Sequence, residues 1–240
     1  MKMGTVIRTI PRAGATVIAS LREHGVATVH EAMGRTGLMK PWMRPIYPGA
    51  RIAGSAVTVL AHPGDNWMLH VAVEVCQPGD VLVVAVSSGC TDGYFGELLA
   101  TSFVSRGVCG LVIDAGCRDV ADLTRMKFPV WSRAVSAKGT IKATVGCVNI
   151  PVVCAGAFVT PGDVVLADDD GVVIVPIDRA ASVASASDER AVREAAKRKR
   201  LAAGELNLDI ENMRAKLASA GLVYYESLDE ARQYEEKERS

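Results

Sequence analysis

An α/β fold with a helical C-terminal extension is predicted by three features of this 240-residue chain. Segments of helical period and of strand length alternate through residues 1–177, each closed by a turn or stop residue. The runs Val81-Leu-Val-Val-Ala85 and Cys109-Gly-Leu-Val-Ile-Asp114 are nearly continuously apolar, as expected for strands covered on both faces. Charge, by contrast, is concentrated at the end: residues 178–240 carry 12 basic and 13 acidic side chains, against 15 and 14 in the preceding 177. The expected division is therefore a core over 1–177 and a charged helical extension over 178–240.

The elements follow in order. Residues 16–24 have a helical pattern that stops at Gly25, and Thr28-x-x-Glu31 has the spacing of a capping box that would start a second helix through Met33. Ile52 to Ala61 is rich in β-formers. Asp65 is placed to cap a helix running to about Cys76, and Pro78-Gly79-Asp80 turns the chain into the strand Val81–Ala85. A helix from Phe95 to Arg106 is closed by Gly107, and the strand Cys109–Asp114 leads into a short helix over 120–126. Short strands fill 130–176, with Asp168-Asp169-Asp170-Gly171 read as a hairpin turn rather than a metal cluster. In the tail, Val192, Ala195, Ala196 and Leu201, then Ile210, Met213 and Leu217, predict two helices separated near Gly204 and ending at Gly221. Their thin apolar face suits an arm lying across another surface. Pro-Gly-Asp recurs at 63, 78 and 161, but before different elements, so no internal repeat is inferred.

Composition excludes several functions. With 27 basic and 27 acidic residues the chain lacks the positive excess that binding to nucleic acid or anionic lipid draws on. No apolar run is long enough for a membrane span, and the N-terminus lacks the apolar segment of a signal peptide, so a cytoplasmic protein is expected. The six cysteines lie in apolar or glycine-rich stretches and are expected to be reduced. No CxxC, HxxxH or HExxH spacing occurs, so any metal should be hard and oxygen-bound.

Chemistry points to two places. Gly107 to Asp119 reads as a buried strand, a small turn at Ala115-Gly116, and then Arg118-Asp119 at the opening of a helix, the crevice where α/β proteins hold ligands. Arg118 offers a planar fork for carboxylate or enolate oxygens, and Asp119 is an acceptor suited to Mg²⁺ or Mn²⁺. The plainer alternative is a surface ion pair with Asp119 as N-cap. Gly96-Glu97-Leu98-Leu99 begins a helix whose first N–H groups favour an anion, although Glu97 could simply compensate the helix dipole. The 20 residues between Glu97 and Arg118 amount to one helix and one strand, which returns both to the same end. Lys138 and Lys142 could form a Schiff base only if desolvated, and neither lies in an apolar run. Ser87-Ser88-Gly89 lacks a nucleophile elbow, and no nucleotide-binding glycine motif is present.

The acid-x20-Arg118-Asp119-x2-Asp122 spacing, with Gly96-Glu97-Leu98, Pro161-Gly162-Asp163 and Asp168 to Pro176, resembles the RraA-like family, which contains the regulator of ribonuclease E activity A and the class II pyruvate aldolases. The resemblance covers roughly residues 25–225. It is nearest to the branch cleaving 4-hydroxy-4-methyl-2-oxoglutarate and 4-carboxy-4-hydroxy-2-oxoadipate, because that branch has a charged helical tail. It implies a swivelling α-β-β-α sandwich, a homotrimer or homohexamer with sites between subunits, and a small 4-hydroxy-2-oxo acid as partner. It further implies that Asp119 anchors Mg²⁺ or Mn²⁺, that Arg118 contacts substrate, and that Gly96, Glu97, Leu98 and Leu99 receive the pyruvyl carboxylate. Glu97 would relay a proton, and Glu194, with Glu189 as the fallback, would be an acid supplied by a neighbouring subunit. Oxaloacetate decarboxylation is the implied side activity, and breakdown of protocatechuate or gallate the implied pathway. The chain departs from many members at Ala115 and from some at Glu97. The competing expectations are a ribonuclease E regulator without aldolase activity and a Schiff-base aldolase.

Overall fold

The structure is a computed structural model that describes residues 2–238. In chain order the elements are α1 (Ala15–Glu23), α2 (Val26–Ala32), β1 (Arg44–Pro45), β2 (Ile52–Ala61), α3 (Trp67–Ala72), β3 (Asp80–Val86), β4 (Gly93–Phe95), α4 (Glu97–Val104), β5 (Gly110–Cys117) and α5 (Val120–Arg125). There follow β6 (Val130–Val135), β7 (Cys147–Val148), β8 (Val152–Cys154), β9 (Ala157–Val159), β10 (Val164–Asp168) and β11 (Gly171–Val175). The last helices are α6 (Ala180–Ala202), α7 (Asn207–Ile210), α8 (Arg214–Ser219) and α9 (Leu228–Glu238). The α/β class and the helical C-terminal segment are as predicted.

The main sheet has nine strands, with β6, β5, β3 and β2 parallel at its centre. On one side the antiparallel hairpin β10–β11 adds to β2, and on the other β1 runs antiparallel to β6. The strand β4 lies beside the carboxyl end of β5, β7 beside that of β2, and β8–β9 form a separate hairpin. The edges of the sheet approach each other: Trp131 Nε1 of β6 donates to the Asp168 carbonyl at 2.8 Å, and the Arg44 guanidinium of β1 donates to that of Asp170 at 3.0 Å. The two β layers of the expected sandwich are thus parts of one curled sheet.

The apolar runs explain this arrangement residue by residue. Val81, Val83 and Ala85 face the interior with Ile52, Val112, Trp131, Val165 and Ile174. The alternate residues Leu82 and Val84 face outward with Leu111 and Ile113 under the helices α3, α4 and α5. Around β10 and β11, Leu166, Val173 and Val175 pack outward against Leu21, Val26 and Val29 of α1 and α2, and against Ala180, Val183 and Ala184 at the start of α6. Both faces are covered, which is why these strands show no polar alternation.

Several details differ from the sequence expectation. The second helix begins at Val26, not after Thr28, because its first N–H is taken by Asp168 Oδ2 at 2.8 Å, a cap delivered from across the fold. The strand over 109–114 continues to Cys117, extended by pairing with β4 and β6. The helix after Asp65 ends at Ala72, short of Cys76. Asp168 pairs directly with Gly171, so the acidic run is the hairpin turn inferred from it.

The chain divides into two compact units, Met1–Ala191 and Val192–Ser240. In the second, the helix breaks fall at Gly204 and Gly221, both at φ +91°. The predicted second tail helix is split into α7 and α8 at Asn212, which also has positive φ, and α9 lies beyond the predicted end. Ion pairs Lys197–Glu211 and Arg200–Glu205, each at 2.6 Å, are internal to this unit.

All six cysteines are free thiols. Burial raises Cys76 to about 12. The recurrent Pro-Gly-Asp segments prove to be a local device, in which Asp80 and Asp163 each accept the N–H three residues earlier, from Gln77 at 2.7 Å and Thr160 at 2.8 Å.

Asp65 does more. It is 2% exposed and accepts backbone N–H groups of Trp67 at 2.9 Å and of Ala143 and Thr144 at 2.7 Å, which ties the long loop before β7 to the sheet. Burial pushes its pKa up, but these three donors outweigh it and hold the carboxyl below its ordinary value. Its stabilising contribution is therefore complete above the ordinary aspartate range and is lost as pH falls through the lowered value. Asp65→Asn should cost about 2 kcal/mol at neutral pH, since an amide turns donors toward donors, and the loss should shrink in acid. Denaturant unfolding at pH 7 and pH 3 measures both.

Candidate active site

Ligand crevices in open α/β sheets form at the carboxyl ends of parallel strands, and here that end of β5 carries Arg118 and Asp119. The pairing of β4 with β5, Gly93 opposite Gly116 and Phe95 opposite Cys117, brings the start of α4 against them. Phe95 closes the arrangement by accepting the Arg118 N–H at 2.8 Å. Glu97 and Arg118 therefore do reach the same end, as the 20-residue spacing implied.

The Asp119 side chain does not cap its own helix. The residue occupies the capping position of α5 with φ +57°, yet makes no side-chain cap bond there. A left-handed backbone is uncommon for a non-glycine residue, though aspartate tolerates it better than most. It turns the carboxylate away from α5, so that Oδ2 accepts the Glu97 N–H at 3.1 Å. The Arg118 Nε stands 3.8 Å from the same oxygen, and both side chains are partly exposed. The surface ion pair of the plainer alternative is therefore present, with Asp119 at the capping position, but its carboxylate bonds the start of a second helix and not its own.

Glycines permit this contact. A Cβ on Gly96 would stand 2.2 Å from Asp119 Oδ2 and 3.1 Å from Arg118 Cγ, although the backbone of Gly96, at φ −148°, is open to any residue. The Gly93 position would meet the Ser136 carbonyl at 2.3 Å and Arg118 Cβ at 3.3 Å, and that of Gly139 would meet an Arg118 guanidinium nitrogen at 3.2 Å. Gly96 and Glu97 thus open α4 with the N–H groups of Leu98 and Leu99 lacking an acceptor within the helix. The Leu98 side chain is 81% exposed at this rim. Glu97 is in the first turn, and its Oε1 accepts from Thr101 Oγ1 at 3.0 Å.

A concavity of about 540 Å³ is lined by Gly64, Cys90, Asp92, Arg133 and Lys138, and the chain neighbours Gly93 and Gly139 of two of these approach Arg118. Lys138 pairs with Asp92 at 3.1 Å, and its carbonyl accepts the Gly93 N–H at 2.7 Å. Arg133 is held by Asp114 at 2.8 Å and lies over the Trp42 ring, 4.8 Å from its centroid. Of these wall residues, Asp92 and Arg133 were not identified from the sequence, and Lys138 was considered only as a Schiff-base candidate. Asp92 and Arg133 reach the wall by long-range pairing and carry no motif. Lys138 and Lys142 are exposed, unlike desolvated Schiff-base lysines. Glu189 ends within the first compact unit and Glu194 falls in the second.

Among the described residues no three His, Cys, Asp or Glu side chains converge as a metal-binding group. Asp119 fits a different kind of ion. One of its oxygens is fixed by a backbone donor and the other has no protein donor among the described residues, so it offers a single hard ligand. Mg²⁺ and Mn²⁺ are commonly held in this way, by one or two carboxylates with water and substrate completing the shell.

The sequence profile of the RraA-like family, described as Aldolase/RraA, matches residues 26–174. A protein from Halalkalibacterium halodurans named "Putative 4-hydroxy-4-methyl-2-oxoglutarate aldolase" is 27% identical over 66% of this chain and 76% of its own. One of the same name from Burkholderia multivorans is 32% identical over 60% and 87%. Among solved structures, Streptomyces coelicolor RraAS2, described as an unusual member of the RNase ES inhibitor RraA family, superposes with a TM-score of 0.71 at 26% identity, over 79% of this chain and 99% of its own. The RNA-processing inhibitor RraA from Thermus thermophilis gives a TM-score of 0.57 at 26% identity, over 64% and 93%. No helix among the described residues is long and apolar enough to cross a membrane.

Proposed function

Because the chain belongs to the RraA-like family, we propose that it is a divalent-metal-dependent aldolase that cleaves 4-hydroxy-4-methyl-2-oxoglutarate to pyruvate, and 4-carboxy-4-hydroxy-2-oxoadipate to pyruvate and oxaloacetate. The observation that carries the reading is the docked carboxylate of Asp119, fixed on the Glu97 N–H with Arg118 beside it at the carboxyl end of β5. An inhibitor that acts by surface occupation has no need of such a group, nor of the glycine that makes room for it.

Asp119 would hold Mg²⁺ or Mn²⁺. When bound, that ion supplies Lewis-acid polarisation of the α-keto acid. The N–H groups of Leu98 and Leu99, with the positive end of the α4 dipole, bind the pyruvyl carboxylate and orient the C3–C4 bond. Glu97 receives the 4-hydroxyl proton through a water molecule. As that proton leaves, the C3–C4 bond breaks, C4 becomes a carbonyl carbon, and the electron pair passes into the pyruvate enolate. Arg118 donates to the enolate oxygen and stabilises its developing charge. Protonation at C3 then releases pyruvate, a step assigned to Glu194, or to Glu189, from a neighbouring subunit of a trimer or hexamer. The same enolate arises when oxaloacetate loses carbon dioxide, so decarboxylation accompanies aldol cleavage.

Coupled detection of pyruvate from 4-hydroxy-4-methyl-2-oxoglutarate tests the assignment. Gly96→Ala should keep its fold but fall at least about tenfold in rate, because the added methyl displaces the Asp119 carboxylate. Absence of pyruvate with any divalent metal would leave the regulator reading.

A further inference from the structure

The Arg118 guanidinium makes no hydrogen bond to a described residue, and the nearest Asp119 oxygen stands 3.8 Å from its Nε. Arg133, by contrast, is gripped by Asp114 through Nε and a terminal nitrogen, each at 2.8 Å. Backbone surrounds Arg118 instead. Cβ atoms placed on Gly93, Gly96 and Gly139 would stand 3.3, 3.1 and 3.2 Å from its Cβ, Cγ and Nη1, so of these three it is Gly139 that meets the guanidinium. Gly139 belongs to the loop 136–146 between β6 and β7, in which residues 136–145 are all exposed or half-buried. A loop with so little apolar burial is held in place by its hydrogen bonds.

Those bonds lead back to one buried side chain. The Ile141 N–H donates to the Gly64 carbonyl at 2.9 Å, the Asn66 N–H donates to the Ile141 carbonyl at 3.1 Å, and the N–H groups of Ala143 and Thr144 donate to Asp65 Oδ2 at 2.7 Å. The loop is therefore laid along the turn 62–66. That turn is fixed by Tyr94 of β4, which is 1% exposed. The Tyr94 hydroxyl donates to the His62 carbonyl and accepts the Gly64 N–H, both at 2.7 Å, and the Tyr94 carbonyl accepts from Asn66 Nδ2 at 2.8 Å. Burial raises the pKa of the phenol, which keeps it a donor. Beside it, the Gly93 N–H donates to the Lys138 carbonyl at 2.7 Å, so β4 secures the stretch that meets Arg118 from both directions.

We propose that Tyr94 and Asp65 are positioning residues for Arg118, which together hold the loop 136–146 so that Gly139 aims the guanidinium. The placement of the side chain stands on these contacts alone, whereas its effect on rate rests on the function proposed above. Tyr94→Phe removes only the hydroxyl, and Asp65→Asn breaks the tie to Ala143 and Thr144. Each should lower kcat for 4-hydroxy-4-methyl-2-oxoglutarate about tenfold with KM changed less than about twofold. Combined with Arg118→Lys, each should cost less than about twofold more, because the group they position is already gone. The ¹⁵N NMR signal of the Arg118 Nε–H, assigned by its loss in Arg118→Lys, reads the placement without turnover. It should shift or broaden in both variants, while the Arg133 signal stays. An unaltered Arg118 signal in both variants, or rate losses that repeat in full in the Arg118→Lys background, would overturn the proposal. Unsubstituted protein that releases no pyruvate would remove the aldolase reading and leave the NMR comparison to decide the placement.

Discussion

Asp119→Asn should fold normally and lose metal-supported pyruvate release, with kcat/KM falling about a thousandfold, equivalent to about 4 kcal/mol of transition-state stabilisation. Asparagine is the informative replacement. Residue 119 sits at φ +57°, a conformation that asparagine adopts as readily as aspartate, whereas alanine would add backbone strain to the chemical defect. The amide oxygen can still accept the Glu97 N–H that fixes the native carboxylate, so the start of α4 keeps its place. What is removed is the negative charge of the proposed hard ligand. Steady-state kinetics against Mg²⁺ concentration, with circular dichroism as the check on folding, separates the two effects. A variant with near-normal kcat/KM would show that Asp119 is not the ligand.

Arg118→Lys should lower kcat/KM by about a hundredfold or more, with the larger share in kcat, because the contact with the enolate oxygen strengthens as charge develops. Charge is conserved in this substitution and geometry is not. The guanidinium is planar, its Nε lies 3.8 Å from Asp119 Oδ2, and one terminal nitrogen approaches Gly139 closely enough that a Cβ there would stand at 3.2 Å. A lysine ammonium is a point charge on a flexible stem and cannot hold both directions at once. A change confined to KM would instead place Arg118 in ground-state binding alone.

Much of this arrangement was legible in the chain itself, for identifiable reasons. Strands β3 and β5 announce themselves because burial on both faces leaves nearly continuous apolar runs, β2 because it is rich in β-formers, and the hairpin at Asp168–Gly171 because a turn needs small and acidic residues between two apolar runs. The convergence of Glu97 with Arg118 and Asp119 follows from counting one helix and one strand. Other features depend on partners remote in sequence. The capping of α2 by Asp168 spans 142 positions, and it displaced a local capping box that has the right spacing at Thr28. The left-handed turn at Asp119 and the loop around Lys138 and Gly139 are likewise set by contacts with α4, β4 and β5 rather than by their own neighbours. Gly96 was read as part of an anion-binding helix start. Its closest constraint is in fact the approach of the Asp119 carboxylate, which no local pattern encodes.

The central claim is that a cation held by Asp119 and the fork of Arg118 together stabilise a pyruvate enolate. Pyruvate release from 4-hydroxy-4-methyl-2-oxoglutarate, followed before and after complete metal removal with EDTA and again on adding back Mg²⁺ or Mn²⁺, tests it most directly. Activity should vanish with the metal and return with either ion. Turnover that persists in the metal-free protein, with borohydride trapping substrate on a lysine, would contradict it.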